Sequence, residues 1–128
     1  MTKRPLKLVI IALATCAGGT VGADTFQSTD LFEIEIAGDP QISPDGSTVA
    51  YARLTSDIMT DRTRSNIWMV DADGGNHRPL LSGTAGYSSP RWSPAGDRLA
   101  YVSGIAGRGP ELYVRRMDTG QAAVLSNL

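Results

Sequence analysis

His77 is the single histidine in a chain of 128 residues, and a search for catalytic chemistry begins there. A general base needs an acid to orient it and a nucleophile to face. His77 follows Asp73-Gly74-Gly75-Asn76, where a polar residue beside a turn is ordinary. The nearest string to a nucleophile elbow, Gly86-Tyr87-Ser88-Ser89-Pro90, lacks the closing glycine and leads into a strand, not a helix. Asp71, Asp73 and Asn76 resemble part of a calcium loop. That loop wants glycine at its sixth position and glutamate at its twelfth, where Asn76 and Ser82 stand. Gly104 to Gly109 spells Gly-x-x-Gly-x-Gly, which is not the dinucleotide order, and no βαβ pattern surrounds it. The sequence therefore offers no catalytic, cofactor-binding or metal-ligating residue.

One stretch is suited to contact with something else. Residues 55–65, Thr-Ser-Asp-Ile-Met-Thr-Asp-Arg-Thr-Arg-Ser, read as a polar loop, and loops carry binding more often than cores do. Asp57, Asp61, Arg62 and Arg64 are its candidate contact residues, although the same composition describes a merely solvated loop. Trp68 and Trp92 sit on strand-like stretches beside apolar residues and read as core; two tryptophans are also the material of an aromatic binding wall.

The elements that hold these residues come from a repeat. Pro40-Gln-Ile-Ser43-Pro44-Asp-Gly46-Ser-Thr-Val-Ala50-Tyr51 returns fifty residues later as Pro90-Arg-Trp-Ser93-Pro94-Ala-Gly96-Asp-Arg-Leu-Ala100-Tyr101. The second half of the unit returns at an offset of 45. Ile67, Trp68, Asp73, Gly75 and Leu80 match Leu112, Tyr113, Asp118, Gly120 and Leu125. A repeat of that length built from strands and turns marks a propeller or solenoid. Ser-Pro-x-Gly is a turn in which proline pre-sets φ and glycine takes the positive φ. Because Ala95 replaces Asp45, the turn is expected not to need its carboxylate. Strands are expected at residues 39–42, 48–54, 66–71 and 77–81, then at 87–92, 98–103, 111–116 and 122–126. The loop over residues 104–110 absorbs the difference between the two offsets. Before the first unit, Asp30-Leu31-Phe32-Glu33 has capping-box spacing and predicts one or two helical turns, with Leu31, Phe32 and Ile34 buried.

The N-terminus reads as a signal peptide. Lys3, Arg4 and Lys7 precede an apolar run over residues 8–14, and Val21-Gly22-Ala23 supplies a small-residue cleavage site. The run is too short to span a bilayer, which needs about 20 residues. The only cysteine, Cys16, lies in this segment, where Leu13-Ala14-Thr15-Cys16 also raises a lipidated N-terminus. Beyond residue 23 the chain has no cysteine and so no disulfide. Nine basic and thirteen acidic residues remain there, a net of −4, and every base is arginine. A mildly acidic chain without a basic stripe is a poor candidate for nucleic acid or for an anionic membrane surface.

With the repeat, the aromatic strand and the Asp-x-Gly turn in hand, the chain resembles the β-propeller repeat of TolB-like proteins and of prolyl oligopeptidase-family serine peptidases. The lead Asp30-Leu31-Phe32-Glu33 before Asp39-Pro40 is similar to the start of exported acylaminoacyl- and dipeptidyl-peptidases of that family. The resemblance implies an all-β fold: two four-stranded antiparallel blades of an incomplete β-propeller, preceded by the signal peptide and a short helical lead. The division would be signal peptide 1–23, lead 24–38, first blade 39–85 and second blade 86–128. It also implies partners: further C-terminal blades, an α/β-hydrolase domain bearing the Ser-Asp-His site, and a peptide substrate whose entry the propeller gates. No part of that site lies in these 128 residues, so this chain alone is expected to be inactive, periplasmic or secreted, with no cofactor. A non-catalytic TolB-like propeller that binds a partner protein is the alternative. Two blades alone leave bare sheet faces and are expected to aggregate or stay partly unfolded.

Overall fold

A computed structural model describes residues 25–104 and 109–127. The expected signal segment with Cys16, and residues 105–108 of the 104–110 loop, lie outside the described residues. Eight strands follow a one-turn helix, α1 (Asp30–Glu33). They are β1 (Glu35–Ile42), β2 (Thr48–Asp57), β3 (Arg62–Asp71), β4 (Arg78–Leu81), β5 (Gly86–Trp92), β6 (Arg98–Gly104), β7 (Pro110–Arg116) and β8 (Ala122–Asn127). They form two antiparallel four-stranded sheets of order β1-β2-β3-β4 and β5-β6-β7-β8. These are the two blades read from the repeat.

The sheets pack face to face, and strand alternation decides which residues meet. Ala50 and Ala52 on β2 share a face with Ile67 and Met69 on β3. That face lies against Leu99 and Tyr101 of β6, and the residues of this layer are 0–5% exposed. The small Ala50 admits the facing Leu99, as close-packed interiors require. Leu80, Leu81, Tyr87, Trp92, Tyr113 and Met117 pack around this core. Among the described residues three polar ties cross between the blades. Ser65 Oγ donates to the Tyr87 carbonyl at 2.7 Å, Trp92 Nε1 donates to the Gln41 carbonyl at 3.1 Å, and Arg91 Nη1 pairs with Asp39 Oδ2 at 2.8 Å.

Both first strands carry a bulge. Register slips between Gly38 and Gln41 and again between Ser88 and Arg91, with Asp39 at φ 49° and Ser89 at φ 53°. These are equivalent positions of the repeat, each followed by proline. Bulges bend a strand and raise its twist. Here they let each blade's first strand turn beside its neighbour, as the contact between β1 and β5 shows.

The Ser-Pro-x-Gly turns form as expected. Gly46 and Gly96 both stand at φ 74°, and each turn closes through its glycine N–H on the serine carbonyl. In the first turn Ser43 Oγ donates to Asp45 Oδ1 at 2.6 Å and accepts from the Thr48 N–H. In the second, Ser93 Oγ donates to Asp97 Oδ1 at 2.8 Å and accepts from the Arg98 N–H. The second turn forms with Ala95 at the Asp45 position, and the carboxylate that meets its serine comes from Asp97, two places further along. The lead differs. Thr29, not Asp30, is the N-cap, and no side chain caps the helix. Asp30 instead accepts the Gln27 N–H at 2.7 Å. Leu31 and Ile34 are exposed, because one turn of helix has too short an apolar stripe to bury both.

Candidate functional site

The expected loop over residues 55–65 is mostly strand. β2 and β3 stay paired from Thr48↔Asp71 to Asp57↔Arg62, and only residues 58–61 form the turn. From Arg62 to Ser65 arginine alternates with serine or threonine, and that suits a strand of a two-stranded ribbon projecting past the core. Asp57, Arg62 and Arg64 therefore stand on strands, not on a loop. Asp61 closes the turn at φ 48°.

The ribbon sorts the four residues into two roles. Asp57 is structural: Arg64 Nη2 pairs with its Oδ2 at 2.9 Å, and the Met59 N–H donates to its Oδ1 at 3.0 Å. The Thr60 hydroxyl, then that N–H, then Arg64 hold its carboxyl below the ordinary aspartate range. Arg62 and Arg64 line a groove of about 580 Å³ with Thr60, Thr63, Thr84, Ala85, Gly86 and Gly104. Asp61 is not among the lining residues. Arg62, whose cross-strand partner is Asp57, forms no ion pair among the described residues. Ile58 and Met59, 58% and 88% exposed, form the ribbon tip beside it. Such a groove can hold a carboxylate or a carbonyl of an extended peptide; it has no group to cleave one.

A second cluster escaped the sequence. On the face of the first blade turned away from the second, Tyr51 Oη lies 2.6 Å from His77 Nε2. The Trp68 ring tilts against His77 at 5.0 Å between centroids. The Arg53 guanidinium sits 4.1 Å over the Trp68 ring and pairs with Glu35. Trp68 is thus not core but half-buried on an uncovered face, whereas Trp92 is packed as expected. The signal that would have shown this is the period of two along β2 and β3. It puts Tyr51, Arg53 and Trp68 opposite Ala50, Ala52 and Ile67. Partial burial raises the Tyr51 phenol above its ordinary value. The cluster presents a phenol, an imidazole and an indole face on one side of the blade.

The remaining motifs are structural. Gly86 to Pro90 lies within β5, and Ser89 is its bulge residue, so no strand–turn–helix elbow exists there. Asp71, Asp73 and Asn76 build the β3–β4 turn. Asp73 Oδ1 accepts the Gly75 N–H at 2.8 Å, and Asn76 Nδ2 donates to Asp71 Oδ2 at 2.5 Å. Among the described residues no group of three or more His, Cys, Asp or Glu is placed to hold a metal ion. Among them, too, no helix is long and apolar enough to cross a membrane.

Known proteins place this architecture. No protein-family model matches the chain. It is 33% identical over 99 residues to the uncharacterized peptidase YuxL of Bacillus subtilis, covering 77% of this chain and 15% of that protein. It is 36% identical over 93 residues to the Tol-Pal system protein TolB of Alkalilimnicola ehrlichii, covering 73% and 21%. The chain thus spans about a fifth or less of these curated relatives. Its fold matches that of the acylaminoacyl peptidase of Pyrococcus horikoshii at a TM-score of 0.64 and 17% identity, over 77% of this chain and 15% of that one. Repeat, blades and relatives agree, and the chain is a propeller portion of the type found in prolyl oligopeptidase-family peptidases and TolB proteins.

Proposed function

We propose that the chain supplies two blades of the propeller of an exported serine peptidase. In it the propeller gates peptide entry to an α/β-hydrolase domain outside these residues. The observation that carries this reading is the match to a curated peptidase across most of the chain. The two-bladed architecture and the fold match to an acylaminoacyl peptidase support it. The signal-type N-terminus supports export to the periplasm or beyond. In this reading the chain's own residues supply shape and contact, with Arg62 and Arg64 in the groove at the ribbon end. The nucleophile comes from elsewhere.

A second reading, a propeller that binds a partner protein and catalyses nothing, is favoured by the comparable identity to TolB. A serine-directed fluorophosphonate probe applied to the product of the complete reading frame separates the two. Labelling of a Gly-x-Ser-x-Gly serine supports the peptidase; further blades with no labelled serine support the binding module. Gating adds a steep fall of kcat/KM with peptide length. Cleavage rates independent of length would refute it.

A further inference from the structure

The two repeats part company at one pair of positions. In the first blade Ile36 of β1 stands opposite Leu54 of β2. Fifty residues on, Gly86 of β5 stands opposite Gly104 of β6. Neither glycine has a positive φ, and among the described residues nothing lies within 4 Å of a Cβ added to either. So neither backbone conformation nor close packing calls for glycine there. What the pair leaves is room, and both glycines line the groove of about 580 Å³ beside the β2–β3 ribbon. The groove lies in the seam between the two blades. One wall is the ribbon and the other is the start of the second blade, so it forms within this chain.

We propose that this groove is a carboxylate-binding subsite for a short extended peptide, with the carboxylate on Arg62 and the peptide backbone along Gly86 and Gly104. That the ligand is a peptide rests on the peptidase reading above; that it is a carboxylate rests on the lining. The charged side chains among the described lining residues are Arg62 and Arg64, the hydroxyls are those of threonines, and no carboxylate is among them. The ribbon's own aspartates are engaged outside the groove. Asp57 holds Arg64 and the Met59 N–H, and Asp61 closes the turn. Arg64 is thereby fixed in place, and Arg62 is the guanidinium left to meet a ligand.

The chemistry fits that ligand. A guanidinium presents a planar fork of N–H donors that matches the two oxygens of a carboxylate. Threonine hydroxyls both donate and accept, which suits peptide N–H and C=O groups. The volume falls within the range of roughly 300–1,000 Å³ that small-ligand clefts occupy. The glycine pair gives an extended backbone a side of the groove without side chains, where the first blade carries Ile36 and Leu54 instead.

The experiment is a binding titration on the product of the complete reading frame, first treated with the fluorophosphonate. Labelling decides the peptidase reading, and binding is read whichever way labelling falls. The probes are N-acetyl-trialanine with a free carboxylate, its C-terminal amide, and the amide of N-acetyl-Ala-Glu-Ala. A carboxylate probe is expected to bind about 5–10-fold more tightly than the trialanine amide, as a charge-assisted hydrogen bond to an exposed arginine allows. That preference should shrink as salt rises. The glutamate probe assigns the source: if it matches the free acid the site takes a side-chain carboxylate, and if it matches the trialanine amide the site takes a C-terminal one. Arg62→Gln should bring the preferred probe down to the level of the amide, and Arg62→Lys should recover part of the difference. Gly86→Val should fill the groove and weaken every probe; the first repeat carries Ile36 at that position, and an unchanged Tm checks the fold. Carboxylate probes that bind no tighter than the amide would overturn the proposal. So would a preference that survives Arg62→Gln, or unchanged binding by a folded Gly86→Val protein.

Discussion

Truncating Leu99 tests whether the two blades are one cooperative body. Leu99 belongs to the second sheet, yet its fully buried side chain is clustered with Ala50, Ile67 and Met69 of the first. Leu99→Ala removes three carbons from that layer. At about 0.8 kcal/mol per buried methylene the transfer loss is ~2.4 kcal/mol, and the residual cavity raises it toward the range of roughly 2–5 seen for such truncations. Taking about 3 kcal/mol, at roughly 4–8 °C per kcal/mol for a domain of this size, Tm should fall by about 12–24 °C. Leu31→Ala is the control. Leu31 is 53% exposed on α1, and alanine is the better helix former, so the change should stay within about 0.5 kcal/mol. Thermal unfolding would be followed in Trp68→Phe and Trp92→Phe backgrounds, each leaving one reporter in one blade. If the shared layer makes one body, Leu99→Ala lowers both transitions together. A drop confined to the Trp92 signal, or no larger than the control, refutes the packing argument.

Two further outcomes follow from the turns. Gly46→Ala should cost about 1–2 kcal/mol from φ alone, since nothing lies within 4 Å of an added Cβ. Gly96→Ala, with the same φ and Pro44 Cδ at 3.4 Å, should cost at least as much in a thermal melt. Costs no larger than that of Gly38→Ala, which has open space and no positive φ, would disprove the turn geometry. The hydrogen bond from Ser43, then those from the Ser47 N–H and hydroxyl, hold Asp45 at about 2 against an ordinary 3.8, and Asp97 is lowered chiefly by Ser93. A depressed folded pKa contributes stability above the unfolded value and loses it as pH falls through the folded one. Stability should therefore decline from about pH 4 toward pH 2, with the Asp45 carboxyl titrating near 2 by NMR. A midpoint near 3.8 would mean the serine contacts do not persist in solution.

The blades were legible because the repeat writes them twice. Alternation along β2 and β6, proline and glycine in the turns, and the Asp-x-Gly hairpins are local, and local rules are what a sequence displays. Two features were not legible. The ribbon over Asp57 and Arg62 looks like a loop because its polar residues have no core to face. It is a strand because β2 and β3 continue their ladder past the sheet-to-sheet contact. The cluster of Tyr51, Trp68, His77 and Arg53 joins residues up to 26 positions apart through strand pairing. Its exposure depends on which face the next blade covers, and a single chain does not state that.

The two turns show how a repeat should be compared. Column by column, Asp45 is lost to Ala95, and the carboxylate looks dispensable. In space the serine hydroxyl still donates to a carboxylate, because Asp97 has taken the place of Ser47. What recurs is the role, a carboxylate that fixes the serine so that its oxygen can receive the N–H opening the next strand. The same logic governs the faces. Val49 and Leu99, or Ile67 and Leu112, differ little in chemistry and much in burial, so their roles follow from what covers them. In a structure of stacked repeats the residue states what it can pack against, and its neighbour in the stack decides whether it does.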